Sequence, residues 1–116
     1  MPASFPPEHR VRKQEDFNRI YQSRNFAADD VLVINGDANN LSHPRLGLSV
    51  SKKVGNAVIR NRWKRLIREA FRLSRDDLPD GIDLIVRPQK GASPDFDAIS
   101  RSLAALSRRI AKRIQK

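Results

Sequence analysis

The stretch RLGLSVSKKVGNAVIRNRWKRLIREAFR, residues 45–72, places a strand, a break and a helix in direct succession. Apolar and polar side chains alternate over residues 45–51, which is typical of a half-buried strand. Gly55 and Asn56 interrupt this alternation, and Asn56 belongs to the residue types that cap helices. The sequence therefore predicts a helix that begins after Asn56 and runs to about Ser74.

This predicted helix has an apolar face and a basic face. Apolar residues fall in one sector at helical spacing: Ile59, Trp63, Leu66, Ile67 and Ala70. Basic residues recur at every fourth position on the other side: Arg60, Lys64, Arg68 and Arg72. Like charges at this spacing destabilise a helix by about 0.2–0.5 kcal/mol per pair, and cations are unfavourable near its partially positive N-terminus. No acidic residue precedes Glu69 in the helix, so the row is predicted to lack acidic partners.

A bound phosphate backbone would remove both penalties. Phosphate oxygens neutralise a basic row and are themselves favoured at a helix N-terminus. The predominance of Arg over Lys suits forked contacts to phosphate or to base edges. Lys52 and Lys53 lie just upstream, and Asn61 adds an amide that can position a nucleotide. The pattern favours a nucleic-acid ligand over a merely solvated basic face.

The composition of the whole chain agrees with a polyanionic partner. The 116 residues suit one domain and carry a formal net charge of +10. Residues 45–75 contain ten Lys and Arg side chains and one acid, Glu69, so this segment supplies most of the net charge. The absence of cysteine excludes disulfides and indicates a reducing compartment, so we expect a cytoplasmic protein. No apolar run has the length of a membrane span or a secretory signal, so no membrane partner is expected.

The rest of the chain predicts a small α+β fold. The predicted elements are an extended N-terminal arm over residues 1–12, a helix over 13–23, strands over 31–35 and 82–88, and a last helix over 95–114. Residues 36–44 have turn chemistry, and Ser93 as cap with Pro94 at the first helical position is the expected start of the last helix. The order α-β-β-α-β-α indicates a single-domain α-β sandwich, residues 1–116, with helices on one face of a small sheet.

Several side chains allow two interpretations. Phe17 and Tyr21 lie four residues apart on the first predicted helix, either as core residues or as platforms for unpaired bases, with Ile20 as the alternative core anchor. Four aspartates invite comparison with a metal cluster, but their turn context favours capping and solvation: Asp76, Asp77, Asp80 and Asp83. His9 and His43 have no neighbours that suggest catalysis. No catalytic residue and no metal ligand is therefore assigned to this chain.

Residues 45–72 closely resemble the signature of the bacterial ribonuclease P protein subunit. The central element is Arg60-Asn61-Arg62, which is preceded by Lys52-Lys53 and Gly55-Asn56-Ala57 and followed by Lys64-Arg65 and Arg68. The segment HRVRKQEDFNRIYQS, residues 9–23, is similar to the family's opening helix, and DLIVRP, residues 83–88, to its last strand. The resemblance covers roughly residues 9–110.

The resemblance implies a fold and an activity. The fold would be an α-β sandwich with helices on a small mixed sheet and a left-handed β-α-β crossover, like domain 2 of ribosomal protein S5, with one more short strand within residues 40–45. The protein would be the accessory subunit of a ribonucleoprotein endoribonuclease, monomeric within the complex. Its partners would be the catalytic RNA and precursor tRNA. The RNA would remove the 5′ leader with Mg²⁺ held mainly by the RNA subunit and the substrate.

The resemblance also implies roles for named residues. Contacts to the catalytic RNA would come from Lys52, Lys53, Asn56, Arg60, Asn61, Arg62, Lys64, Arg65, Arg68 and Arg72. The leader would lie in a cleft with Phe17, Tyr21, Arg12 and Lys13. The family's cleft often has an aromatic on the first strand, where this chain offers aliphatic residues, Ile34 among them. Trp63 stands where the family usually has a smaller aliphatic residue, which implies a locally repacked core.

Three other functions are alternatives to this one. A ribosomal or other structural RNA-binding protein without a processing role would have the same charge pattern. A self-sufficient nuclease would need a carboxylate pair on rigid elements or a His-centred site, which the sequence does not offer. A reader of double-helical DNA would place the basic helix in a major groove, but nothing in the chain resembles a helix-turn-helix.

Overall fold

The computed structural model describes residues 6–114, which contain three α-helices and four strands. In chain order the elements are α1 (Gln14–Gln22), β1 (Phe26–Ala28), β2 (Leu32–Ala38), β3 (Arg45–Leu48), α2 (Ala57–Ser74), β4 (Ile82–Pro88) and α3 (Phe96–Ile114). Short 3-10 turns lie at Pro7–His9, Lys52–Val54 and Arg75–Asp77. The predicted order is confirmed, with β1 as an additional strand. None of the helices within residues 6–114 has the length and apolar character that crossing a bilayer requires.

The four strands form one mixed sheet in the order β1-β2-β4-β3. β2 is antiparallel to both of its neighbours, β1 and β4. β3 and β4 are parallel, and α2 supplies the long crossover connection that parallel neighbours need. The predicted small mixed sheet with packed helices is confirmed. The left-handed sense of the crossover stays a prediction of the family resemblance.

Helices pack on both faces of this sheet, and the expectation of helices on one face was wrong. Leu84 of β4 lies in the larger core with Trp63 of α2 and Leu103 of α3. Its neighbour Ile85 points to the opposite face and packs in a smaller cluster with Ile20 of α1. β4 is buried continuously over its first five residues, which is typical of a strand covered on both sides. α1 therefore lies on the side of the sheet away from α2 and α3.

The additional strand does not lie within residues 40–45, where the resemblance placed it. It is β1, whose three residues are too few to show an alternating pattern in the sequence. β2 also continues through Gly36 to Ala38, where the sequence indicated a turn. A Cβ atom at Gly36 would lie 2.8 Å from Ile110 Cγ2, so the glycine allows α3 to pack closely on the sheet.

Side-chain caps fix where α2 and α3 begin. The predicted cap of α2 is confirmed, since Asn56 Oδ1 accepts a hydrogen bond at 3.0 Å from the amide three residues on. The predicted cap of α3 was wrong, because Asp95 rather than Ser93 accepts from the Ala98 amide, at 2.9 Å, although the helix begins within one residue of the predicted position. Pro94 accordingly precedes the helix. An ionised carboxylate gains from the partially positive helix N-terminus, an advantage that a serine hydroxyl lacks.

The predicted extended arm, residues 1–12, is only partly described. Residues 1–5 of the arm lie outside the described residues. Pro7–His9 form a 3-10 turn rather than an extended chain, since proline fits the first position of a helical turn. The Val11 amide then donates to the Leu46 carbonyl at 2.9 Å. The arm therefore pairs with the edge strand β3.

Candidate nucleic-acid interface

α2 divides into a buried face and a basic face, as its sequence predicts. Buried residues on its inner side are Trp63, Ile67, Ala70 and Phe71. Exposed residues on its outer side are Asn61, Arg62, Arg65 and Arg68, and Arg60 and Lys64 are half-buried beside them. Ile59, in the first turn, is 39% exposed, so the apolar face is complete only from Trp63 onward.

The side chains predicted to contact RNA are called the basic surface: Lys52, Lys53, Asn56, Arg60, Asn61, Arg62, Lys64, Arg65, Arg68 and Arg72. Arg72 forms an ion pair with Glu69 through two hydrogen bonds, one of them from Nε to Oε2 at 3.3 Å. The prediction that the row lacks acidic partners was therefore wrong at Arg72, because residues three apart face each other on a helix. The other cations of the basic surface form no ion pair within residues 6–114.

The half-buried member of the row, Arg60, is incompletely satisfied. Its Nε atom is buried and has no hydrogen-bond partner within the described part of the chain. A buried donor of this kind is unfavourable unless a ligand supplies an acceptor. A phosphate oxygen is such an acceptor, and a guanidinium group binds it in a forked geometry.

The segment before α2 brings two more cations to the same end of the helix. Lys52 and Lys53 are exposed in their 3-10 turn. Gly55 follows this turn, and a Cβ atom on residue 55 would lie only 3.1 Å from Ile59 Cγ2. Asn56 Oδ1 is occupied by the cap, which leaves the side-chain NH₂ group of Asn56 for a ligand. Free helix amides and these cations together form a surface suited to phosphate.

A cleft of about 660 Å³ opens between the N-terminal arm, α1, β3 and α2. We call it the α1 cleft, and its lining is Arg10, Val11, Arg12, Phe17, Leu46, Leu48 and Arg68. The cleft joins the two predicted groups, since Arg12 and Phe17 were assigned to the leader and Arg68 to the catalytic RNA. Tyr21 and Lys13, which were also assigned to the leader, lie outside its lining.

Phe17 lies over the sheet because the strand beneath it carries a glycine. A Cβ atom at Gly47 would lie 3.1 Å from Phe17 Cζ. Tyr21 is 38% exposed, and its ring centroid lies 6.5 Å from that of Phe17 with a tilt of 38°. Ile20 between them is fully buried and anchors α1. The structure thus favours the second interpretation, in which the two rings flank the core rather than form it.

β2 presents a different residue to the α1 side than the sequence suggested. Ile34 is fully buried in the larger core, so it faces away from α1. Val33 pairs with Arg87 of β4, and alternation with Ile85 places both on the α1 side. Arg87 is exposed and is a candidate site residue that was not predicted from the sequence. The alternation of Ile85 and Arg87 along β4 could have indicated that Arg87 lies on the α1 side of the sheet.

Asp83 lies at the centre of a buried ion-pair network beneath α1. Its side chain is 0% exposed, and its oxygens accept hydrogen bonds from Arg45 Nε at 2.7 Å and Nη2 at 2.6 Å. Arg19 of α1 and Asn39 also donate to it. Burial disfavours the charged carboxylate, but hydrogen bonds from Arg45, Asn39 and Arg19 outweigh burial and lower the pKa of Asp83 below its ordinary value. The interpretation of Asp83 as a solvated turn residue was wrong, because it lies inside a strand.

The two histidines help to hold the N-terminal turn. Arg75 Nη1 lies 2.8 Å from His9 Nδ1, and His43 Nε2 lies 2.9 Å from the Glu8 carbonyl oxygen. The imidazole rings meet edge to face with centroids 5.0 Å apart. Burial, Arg75 and His43 together lower the pKa of His9, which favours the neutral ring as acceptor for Arg75. Both histidines thus have structural contacts.

The chain is similar to known proteins in both sequence and structure. The family model described as Ribonuclease P matches residues 5–111. The ribonuclease P protein component of Escherichia coli O157:H7 is 43% identical over 108 residues, which cover 91% of this chain and 90% of that protein. The RNase P protein structure from Staphylococcus aureus is 39% identical with a TM-score of 0.75, covering 90% of this chain and 95% of that one. The Thermotoga maritima RNase P protein is 32% identical with a TM-score of 0.79, covering 86% and 96%.

Proposed function

Because the chain belongs to the ribonuclease P protein family, we propose that its basic surface binds the catalytic RNA and its α1 cleft binds the 5′ leader of precursor tRNA. The chain is the protein component of ribonuclease P, an endoribonuclease that processes tRNA. The comparisons do not favour a ribosomal or structural RNA-binding protein without a processing role.

The observation that supports RNA binding is the set of cations on α2 without acidic partners. Arg62, Arg65 and Arg68 are exposed on one face, and no carboxylate within residues 6–114 neutralises them. Their mutual repulsion destabilises the free helix, and RNA phosphates relieve it. Binding energy of this origin decreases steeply with salt, because each neutralised phosphate releases counterions.

The α1 cleft suits a single strand rather than a duplex. Phe17 offers a ring against which a base can stack, and Tyr21 offers a second, more exposed ring one helical turn away. Arg12, Lys13 and Arg68 place positive charge around these rings for the backbone of the strand. The combination of stacking rings and surrounding cations is typical of sites for unpaired nucleic acid. The leader therefore lies between α1 and α2.

We assign the hydrolytic chemistry to the RNA subunit. Within residues 6–114, no group of three or more His, Asp or Glu side chains is arranged to hold a metal ion. Asp83, the most buried carboxylate, is already bound by two guanidinium groups. In this proposal Mg²⁺ is held mainly by the RNA subunit and the substrate. In this proposal the protein acts in the cytoplasm, with one copy in each complex. Its role is to position the catalytic RNA and the precursor tRNA.

Reconstitution tests this proposal. The protein is combined with the catalytic RNA, and cleavage of precursor tRNA is measured at low magnesium with and without protein. We expect the protein to stimulate cleavage, and replacement of Arg60 and Arg65 by Ala to weaken assembly. Arg108→Ala, on the exposed side of α3, is the matched control and should leave assembly unchanged. Absence of stimulation by the unmodified protein would favour a purely structural RNA-binding role.

A further inference from the structure

We propose that a clasp of three side chains, His9, His43 and Arg75, positions the N-terminal arm at the α1 cleft, and that protonation of His9 opens it. The clasp joins the arm to the loop between β2 and β3 and to the 3-10 turn that follows α2. None of its members lines the cleft, so they act as positioning residues. The inference rests on the proposed function only for its effect on leader affinity.

The N-terminal arm forms one wall of the α1 cleft, to which it contributes Arg10, Val11 and Arg12. Downstream of Arg10 the arm is anchored in the fold, because Val11 packs with Ile20 in the smaller core cluster and its amide donates to the Leu46 carbonyl at 2.9 Å. Upstream of Arg10 the arm is held by the clasp. The position of Arg10 in the cleft therefore depends on an apolar anchor on one side and on the clasp on the other.

The contact between Arg75 and His9 requires a neutral imidazole ring. Arg75 Nη1 lies 2.8 Å from His9 Nδ1. A guanidinium group has donors only, so Nδ1 must accept, and the single proton of the neutral ring is on Nε2. A second proton would occupy Nδ1, convert the acceptor into a donor and place two cations at hydrogen-bond distance. The hydrogen bond can therefore form only while His9 is uncharged.

The contact that His43 makes with the arm does not have this requirement. His43 Nε2 lies 2.9 Å from the Glu8 carbonyl oxygen, so this nitrogen donates. A second proton on His43 would bind Nδ1 and leave this hydrogen bond in place. The rings of His9 and His43 meet edge to face with centroids 5.0 Å apart. His9 is therefore the member of the clasp whose charge decides whether the clasp is closed.

The surroundings of His9 oppose its protonation. Arg75 faces it from the turn after α2, His43 from the loop between β2 and β3, and Glu8 from the arm itself. The Pro7–His9 turn also packs on β3, whose Arg45 is held in an ion pair. Burial, Arg75 and His43 lower the pKa of His9, and Glu8 opposes them. An open arm would release His9 from these neighbours, so the open form binds a proton more readily than the closed form.

The closed arm should weaken over the pH range in which histidine titrates. Because the pKa of His9 is lowered in the closed clasp, the closed form is fully stabilised above the ordinary histidine pKa of about 6.5. This stabilisation is lost as pH falls from there through the lowered pKa. Carboxylates titrate near about pH 4, so the arm should open while the rest of the fold is intact. Arg10 then loses its fixed position, and the α1 cleft loses affinity for the leader.

Hydrogen exchange of the Arg10 and Val11 amides in the free protein measures the arm directly. After correction for the intrinsic exchange rate, we expect their protection to fall several-fold between about pH 7.5 and about pH 5.5. His9→Asn keeps an acceptor close to the position of Nδ1 but cannot titrate, so its protection should stay constant over this range. Arg75→Ala should be less protected already at neutral pH. Arg101→Ala, on the exposed side of α3, is the matched control and should behave as the unmodified protein.

Binding of precursor tRNA by the reconstituted holoenzyme connects the clasp to the cleft. The affinity for leader-bearing tRNA is divided by the affinity for leaderless tRNA at each pH, which removes pH effects on the rest of the complex. We expect this ratio to fall several-fold over the same range in the unmodified protein and to stay constant in His9→Asn. Circular dichroism at each pH verifies that the fold is intact.

The two measurements separate this inference from the proposed function. Constant protection in the unmodified protein, or an equal fall in His9→Asn, would refute the clasp. If protection falls with pH but the affinity ratio does not, the arm opens without positioning the cleft, so the inference fails while leader binding stands. If the unmodified holoenzyme does not distinguish leader-bearing from leaderless tRNA at neutral pH, the proposed leader cleft fails and the effect on leader affinity fails with it, whereas hydrogen exchange still decides whether His9 opens the arm.

Discussion

Arg45 binds the carboxylate of Asp83 with two parallel hydrogen bonds, at 2.7 Å from Nε and 2.6 Å from Nη2. The pair joins the start of β3 to the start of β4, the two parallel strands that the α2 crossover connects. Arg19 donates to the same carboxylate from α1 and to Asp37 on β2 at 2.8 Å. One buried carboxylate therefore fixes α1 against three strands, and with α1 it fixes the α1 cleft.

Asp83→Ala should destabilise the protein strongly. The substitution leaves the Arg45 and Arg19 guanidinium groups without their shared partner, and Asp83 itself is fully buried. Breaking a buried pair by removing one partner costs about 3–5 kcal/mol, and we expect the lower end because both arginines are partly exposed. Urea denaturation measures the loss in the free energy of unfolding. Asp80→Ala, an exposed turn residue, is the control and should change it by less than about 0.5 kcal/mol.

The same carboxylate should make the protein sensitive to acid. Its pKa is lowered in the folded state, so its stabilising effect is present above the unfolded pKa of about 3.9 and is lost as pH falls through the folded pKa. We expect the free energy of unfolding to decrease as pH falls below about 4. Asp83→Asn lacks the titrating group and should show a shallower decrease over that range. An equally steep decrease in both proteins would assign the acid sensitivity to other carboxylates.

The sequence predicted the long elements and missed features that depend on tertiary contacts. α2 was predicted correctly because its apolar spacing, Asn56 cap and length are all local signals. β1 was missed because three residues carry no periodicity, and their pairing with β2 is non-local. The position of α1 on the opposite face follows from Ile85 and Ile20, which meet only in the folded chain. Local sequence patterns thus specified the longer helices and strands, and tertiary packing decided how these elements are arranged.

The candidate site also combines features that the local sequence shows with features that only the fold shows. The basic row on α2 could be read from spacing alone, and the spacing of three between Glu69 and Arg72 also allows the ion pair that the structure shows. Asp83 looked like a turn residue because acidic residues surround it in sequence, and only the fold shows that two arginines meet it inside the sheet. Ile34 and Val33 differ by one position, yet the strand period of two places them on opposite faces.

Arg68→Ala should weaken RNA binding more than Arg72→Ala. Arg68 is exposed, lines the α1 cleft and has no acidic partner within residues 6–114, so its charge is available to a phosphate. Arg72 is held by Glu69, so part of its charge is already neutralised. We expect Arg68→Ala to reduce the slope of log affinity against log salt by about 1, and Arg72→Ala to reduce it by less. Filter binding to the catalytic RNA over a salt series measures both slopes. Equal slopes for the two variants would mean that the Glu69 pair does not persist in the complex.

Gly47→Val should impair the α1 cleft without removing any charge. A Cβ atom at this position would already lie 3.1 Å from Phe17 Cζ and 3.1 Å from Val11 Cβ, and a branched side chain extends further into the same space. The Phe17 ring must move away from the sheet, so the base that stacks on it should lose about 1–3 kcal/mol of binding free energy. The basic surface on α2 is unchanged, so affinity for the catalytic RNA and its salt dependence should stay the same. Affinity for precursor tRNA with a leader, compared with mature tRNA, isolates the effect. Loss of affinity for leader-bearing and leaderless tRNA alike would mean that the substitution disturbs the fold rather than the cleft.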